Sequence, residues 1–346
     1  MPQRRLSQLL SSRKYRYCYL NNKVISDNIC YFYPHMKKLP IILAFSLMLH
    51  PICESRAQEW ALFYRLQPGE SYYLESELQQ NTHSESVDSE EISFYNLTRL
   101  EFRVDSIDAS GGYHMQVRYR DLLISMLAPQ MEIDISSASG KDPLLTEMVD
   151  MLELGTFSMV MTPRGELLEL EGLEELFEPL AELQVADTAE QEVILRTLSE
   201  AYGPNAFRSF CNVFLWIYPV IHPMKNWTND ITYFFNTKPV NMSNRYYLSK
   251  TTSDVMVIQG LGMLNAMKEF YETTGLGDVK SAVSGSQTYD FQMNPGNGWL
   301  KQCVSRQRVM IETTILNSSY LPPGLKIPSY TETVFEVSGG RLDHFQ

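Results

Sequence analysis

The sequence has none of the short motifs that announce catalysis. There is no G-x-S-x-G nucleophile elbow, no H-E-x-x-H zinc helix, no G-x-x-x-x-G-K-[ST] phosphate loop and no G-x-G-x-x-G dinucleotide turn. Gly260-Leu-Gly262 and Gly275-Leu-Gly277 are isolated G-x-G fragments, and glycine at such spacing reads as turn punctuation. Cysteine is scarce, with five in the chain and only Cys211 and Cys303 after residue 57, too few for a metal framework. The four histidines of that stretch, His83, His114, His222 and His344, lie far apart and at no metal-ligand spacing. No serine stands in a recognisable nucleophile context, so the expected cofactor is none and catalysis is disfavoured.

Basic charge is short as well. Nine of the 29 Lys and Arg but only two of the 41 Asp and Glu fall in residues 1–57, leaving 20 against 39, or −19, for residues 58–346. A body that acidic repels a phosphate backbone, which argues against nucleic acid as a partner. Long apolar runs are missing too. The longest, Leu39 to Leu49, is apolar except for Ser46. As a helix it rises roughly 16 Å, about half the hydrocarbon thickness, so no stable transmembrane segment is expected in the mature chain.

That run is present for another reason. Met36-Lys37-Lys38 is a cationic start, Leu39–Leu49 an apolar centre, and Ser55-Arg56-Ala57 places small residues at −3 and −1 of a cut before Gln58. Residues 36–57 thus read as a secretory signal peptide, and the mature protein as exported, periplasmic or secreted. Cys53 lacks the small preceding residues of a lipidation site. Residues 1–35, basic and without an apolar period, read as an over-extended gene start. Residues 58–346 are expected to form a single domain, since no Pro, Gly or Ser-rich linker divides them. An oxidising compartment leaves a disulfide between Cys211 and Cys303 open, although nothing in the sequence brings them together.

The dominant pattern is strand alternation. Leu100, Phe102 and Val104 precede an Asp108–Gly112 turn, and Tyr113, Met115, Val117 and Tyr119 follow it, a hairpin with one buried face. The same period runs through Phe157, Met159, Met161; Val255, Val257; Tyr289, Phe291, Met293; Val309, Ile311, Thr313, Ile315; and Thr331, Thr333, Phe335, Val337. One polar face per strand favours an antiparallel sheet. A helical block is expected at about 172–218. Its first helix carries Leu173, Leu176, Phe177, Leu180 and Leu183. A second starts at an Asp187/Glu190 capping box and ends near Gly203. The third begins at Pro204 and runs to Pro219, with Phe207, Phe210, Phe214 and Ile217 on one face. Gln79–Glu91 reads as a loop, and Met263–Tyr271 as a short helix. The acidic run Glu166–Glu182 reads as a solvated helix face in preference to a calcium site, for want of a Gly-turned D-x-D-x-D-G loop. Phe157-Ser-Met-Val-Met-Thr-Pro-Arg-Gly165 and Tyr289-Asp-Phe-Gln-Met-Asn-Pro-Gly-Asn-Gly298 echo each other, as Pro and Gly-containing hairpin turns do.

The opening Tyr64-Arg-Leu66-x-x-Gly69-Glu70-x-Tyr72, the Met161–Gly165 turn leading to Glu171-Gly172-Leu173, and Asn297-Gly298-Trp299-Leu300 together resemble a domain-of-unknown-function family exported by Bacteroidetes. The Ala57-Gln58 junction is similar to those exports as well. The resemblance covers nearly all of residues 60–340 and implies no assigned activity. The element order is also similar to periplasmic lipoprotein-carrier half-barrels.

The expectation is therefore an α+β fold: a large curved antiparallel sheet, half-barrel-like, with a helical insertion. The expected function is non-catalytic binding of an apolar or amphipathic ligand such as a lipid, lined by Phe207, Phe210, Phe214 and Ile217. The alternative is a structural or interaction protein with another envelope protein as partner. A hydrolase ranks third.

Overall fold

In the computed structural model the chain divides between Ala57 and Gln58, and the second unit is the one described. The structure describes residues 62–84, 91–128, 131–136, 143–179, 188–219, 225–235, 238–265, 269–274 and 277–343. The expected signal peptide, residues 36–57, and the residues before it lie outside these.

Among the described residues thirteen strands form one antiparallel sheet. They are β1 (Ser71–Ser84), β2 (Glu91–Ile107), β3 (Tyr113–Ala128), β4 (Met131–Ser136), β5 (Phe157–Met161), β6 (Leu167–Glu171), β7 (Asn226–Phe235), β8 (Lys238–Thr251), β9 (Met256–Asn265), β10 (Phe270–Thr274), β11 (Gly277–Met293), β12 (Leu300–Asn317) and β13 (Lys326–Leu342). The spatial order is β6-β5-β3-β2-β1-β13-β12-β11-β9-β8-β7, with β4 on β3 and β10 on β11. The sheet is open, and the expected α+β, half-barrel-like fold is what forms. Three α-helices accompany it among the described residues: α1 (Pro143–Leu154), α2 (Thr188–Tyr202) and α3 (Pro204–Phe214).

Turn chemistry sets the central hairpin. Asp108 Oδ1 accepts from Ser110 N, Ser110 Oγ and Gly112 N, and Gly111 takes φ +87°. Asp turns of this kind satisfy their own backbone and fix the register Ile107↔Tyr113. Farther along, Asp121 adopts φ +50° where the β2–β3 register slips between Leu97 and Arg99. That bulge switches the inward side chains of β3 from odd positions, ending at Tyr119, to even ones, Leu122 and Ile124.

A cluster of aromatics packs around Trp299 in the core. Trp299 is packed on Tyr72, Phe102 and Tyr64 at ring distances of 4.7, 5.4 and 5.9 Å. Full burial of such rings contributes about 1.5–3 kcal/mol each. The segment Leu62–Leu66 is threaded between the two echoed hairpin turns. Tyr64 N donates to Pro163 O at 2.7 Å and Arg65 N to Asn297 O at 2.8 Å. The two turns are not equivalent in the sheet: β5–β6 ends it, whereas β11–β12 lies in its interior.

Several expectations are corrected. The loop at Gln79–Glu91 is shorter, since β1 continues to Ser84 and β2 starts at Glu91, their paired polar residues meeting as Asn81↔Ser93. The helix expected at Met263–Tyr271 is strand on both sides, β9 to Asn265 and β10 from Phe270. In β9 the buried face is Met256 and Ile258, so Val257 stands on the opposite side from the one its alternation suggests. The first expected helix begins as a 3-10 turn at Glu175–Phe177, and its part from Leu180 to Leu183 lies outside the described residues. The third helix stops at Phe214, five residues short of Pro219, because Trp216 N turns back to Cys211 O at 3.0 Å. Helix α1 has no counterpart in the sequence expectations.

Candidate functional site

Helix α3 decides how this open sheet is finished. Its Ser209 Oγ accepts from Phe234 N at 3.0 Å, and its Asn212 Nδ2 donates to Thr232 O at 3.0 Å. Both partners belong to β7, the terminal strand, whose outward backbone groups are thus met by a helix instead of another strand. Just past the helix, Trp216 O and Ile217 O accept from Asn229 Nδ2 at 3.0 Å and Trp227 Nε1 at 2.7 Å.

This placement tells where the four expected ligand-lining residues are. Phe207 and Phe214 are buried in the core on α3, and Phe210 is partly buried against it. Phe207 meets Phe157 edge-on at 5.0 Å, Phe214 meets Phe335 at 5.5 Å, and Phe210 lies 5.1 Å from Phe214. Ile217 is buried beyond the helix end, so it does not share the helical face that its spacing suggested. Of the four, Phe207 and Phe214 meet rings of the sheet, and none lines the groove described below. Cys211 and Cys303 are both buried free thiols with no disulfide between them. Burial pushes both thiols far above their usual range.

A Ser, a His and an acid converge at the β2–β3 turn. Ser110 Oγ lies 2.6 Å from Asp108 Oδ1, and His114 Nε2 lies 3.4 Å from Asp108 Oδ2. The carboxylate stands between serine and histidine, whereas a nucleophile needs the histidine beside the serine. The hydrogen bonds from Ser110 and Gly112 hold the Asp108 carboxyl down at about 2, which suits a turn-forming anion. Among the described residues no three His, Cys, Asp or Glu side chains could hold a metal ion, and Glu166–Glu171 edges β6. No helix among them is long and apolar enough to cross a membrane.

Two features escaped the sequence reading. The first is a polar row on the inner face. Register pairs Gln80 with Thr333, Thr333 with Gln307, Gln307 with Gln287, Gln287 with Gly262, Gly262 with Asn244, and Asn244 with Asn229. Gln307 Nε2 donates to Gln287 Oε1 at 2.9 Å, and Gln287 Nε2 to Ser305 Oγ at 2.7 Å. Gln287, Gln307, Thr333, Asn244 and Asn229 are all buried. The only local sign is that Gln287 continues the inward parity of Tyr289, Phe291 and Met293.

The second is an open groove of about 870 Å³ on the outer side of β7, β8 and β9, next to Pro219. Two cross-strand rows form its walls, Asn226–Tyr247–Gln259 and Thr228–Arg245–Leu261, over Trp227, Tyr246 and Gly260. Tyr247 is 47% and Leu261 46% exposed, unusual for such side chains, and Met263 continues the strip at 46%. Arg245 is exposed and makes no ion pair among the described residues. Nearby Asp230 accepts instead from Ser243 Oγ at 2.6 Å.

The model described as "Family of unknown function (DUF6263)" matches residues 110–300, more than half of the chain. No curated protein matches it. Among solved structures, lipovitellin, described by its lipid–protein interactions, is similar at 10% identity and a TM-score of 0.49, over 82% of this chain and 26% of that one. The chain thus spans about a quarter of lipovitellin's length. OpdQ of Pseudomonas aeruginosa is similar at 5% identity and a TM-score of 0.21, over 80% of this chain and all of that one. The outer membrane protein OprG of the same organism is similar at 6% identity and a TM-score of 0.17, over 80% and 98%.

Proposed function

We propose, from the premise that this chain belongs to the DUF6263 family of unknown function, that it is a non-catalytic binding protein of the bacterial envelope. Its ligand is an amphipathic molecule with an anionic end, held in the groove on β7, β8 and β9. The observation that carries this reading is Arg245. An exposed guanidinium without a carboxylate partner among the described residues, on so acidic a body, stands between the apolar side chains of Tyr247 and Leu261. Apolar contacts on either side and one cation suit an acyl chain ending in a carboxylate or phosphate. Export, in a Bacteroidetes-type cell, rests on the signal-like residues Met36–Ala57.

Native mass spectrometry of the protein purified from its own host without detergent tests both parts. The expected result is a polypeptide mass that starts at Gln58, plus a discrete added mass that organic extraction removes. A bare monomer would sink the ligand reading, and a start upstream of Gln58 would sink the export one. A second reading is favoured by the contiguous exposed strip Tyr247, Leu261 and Met263, which would also suit a protein partner. A multiple of the monomer mass, or a co-purified envelope protein, would support it.

A further inference from the structure

The turn between β12 and β13 is uncharged and apolar. From Thr313 to Leu325 the chain has no Asp, Glu, Lys or Arg, although such residues make up 20% of the whole. Its side chains nevertheless face solvent. Tyr320 is 88% exposed, the highest of the large apolar side chains among the described residues, and Leu316, Pro322, Pro323 and Leu325 are exposed with it. A single exposed leucine is ordinary; several on one uncharged turn are not.

The backbone donors of this turn do not depend on water. Tyr320 N and Leu321 N both donate to Ser318 Oγ, at 3.1 and 3.2 Å. Pro322 and Pro323 have no N–H to satisfy. Gly324 N donates to Ile315 O at 2.7 Å, and Leu325 N to Pro322 O at 3.2 Å. Every donor from Tyr320 to Leu325 is thus met within the hairpin or missing. Surface loops ordinarily leave such groups to solvent, and an apolar medium penalises each open one. Pro323 and Gly324, the glycine at φ +82°, form the centre of a type II turn closed by the Leu325–Pro322 bond. The tip is shaped before it meets anything, so little ordering is lost on contact.

Charge returns only at the base of the turn, where partners hold it. Lys326 Nζ donates to Glu312 Oε1 at 2.6 Å and Lys280 Nζ to Glu269 Oε1 at 2.7 Å. Asp278, at the β11 end beside Asn317, accepts from Thr273 Oγ1 at 2.7 Å.

We propose that the β12–β13 turn is a membrane-docking tip, whose Tyr320, Leu321 and Leu325 enter the interfacial layer of a lipid bilayer. The amphipathic tyrosine ring suits that layer. The nearest lysines are paired with glutamates, and residues 58–346 carry −19, so the surface it fits is zwitterionic, not anionic. A protein partner would need a recess matched to the turn, whereas a fluid bilayer shapes itself to it. The tip uses nothing of the β7–β9 groove, so the two proposals fail separately.

Flotation with phosphatidylcholine vesicles, using protein purified from its own host without detergent, supplies the test. The protein is expected to float with the vesicles. Tyr320→Asp should lower its partition constant by about tenfold or more, at an unchanged thermal midpoint, since the side chain is exposed. Leu154→Asp is the control: Leu154 is 81% exposed on α1, outside the tip, and its variant should bind as wild type. Adding phosphatidylglycerol should not strengthen binding. Absent flotation, equal losses in both variants, or binding that needs anionic lipid would each overturn the proposal. Unchanged flotation of Tyr320→Asp overturns it as well, and an oligomer broken by that variant would make the tip a protein contact instead.

Discussion

The Tyr64 phenol donates to the carbonyl of Leu215 at 3.0 Å, across 151 residues of sequence. The same carbonyl is approached from the other side by Gly165, where an added Cβ would lie 1.8 Å away. One oxygen past the end of α3 therefore joins the entering segment, the β5–β6 turn and the helix that finishes the sheet.

Two substitutions at that junction should separate a lost bond from a steric conflict. Tyr64→Phe removes the phenol from the Leu215 carbonyl, which still accepts from Ile217 N at 2.9 Å, at a cost of about 0.5–1.5 kcal/mol. Gly165→Ala forces a side chain both onto that oxygen and into φ +92°, and should cost more than Tyr64→Phe. Urea midpoints of both variants check the order; an alanine variant as stable as wild type would contradict it.

The Asp108 turn should show a definite pH signature. Its folded carboxyl is held at about 2 by Ser110 and Gly112, below an unfolded value near 4. A depressed folded value means the contribution is fully present above about pH 4 and is lost as pH falls through about 2. The midpoint difference between wild type and Asp108→Asn should accordingly be constant at pH 5–7 and shrink toward pH 2. A difference that does not move with pH would refute the assignment.

Cys211 and Cys303 are expected to be inert while the protein is folded. Burial holds both thiols protonated at neutral pH, and the thiolate is the reactive form. Alkylation with iodoacetamide should label neither cysteine natively and both in denaturant without reductant. Labelling that needs reductant would reveal a disulfide.

How much of this was legible follows from the kind of signal. The hairpin around Asp108–Gly112 was readable because its period, its turn residues and its partner strands all lie within about twenty residues, where local rules act. Gly203 and Pro204 marked the α2–α3 break for the same reason, and Ser199 O, 2.4 Å from a Cβ placed at Gly203, shows why the position is glycine. The β10 region misled because Met263, Leu264, Met267 and Phe270 also fit a helical spacing, and short apolar runs do not separate the two periods. Arg245, Tyr247 and Leu261 were invisible as a group. Each is ordinary on its own strand, and only the pairing of β7, β8 and β9 makes them neighbours.

For the groove, Arg245→Glu should weaken binding of oleate, an anionic amphiphile, by tenfold or more, about 1.4 kcal/mol. Stability should stay within about 0.5 kcal/mol of wild type, since the side chain is exposed and makes no ion pair among the described residues. Isothermal titration together with a thermal scan reads both, and unchanged oleate affinity would remove Arg245 from the site.

The sequence by itself determined that an antiparallel sheet would form, where several of its turns would fall and that a helical block would interrupt it. These features are written in periods of two and of 3.6 and in Gly, Pro and Asp punctuation, which act over a few residues. Only the tertiary structure decided which residues meet. Thr333 reaches Gln80 across 253 positions, and the inner polar row exists because seven strands keep register there. A strand's alternation states which residues share a face. It cannot state what stands opposite them, because that is set by pairing between distant segments and by the side chains of a helix, Ser209 and Asn212, that finish the sheet.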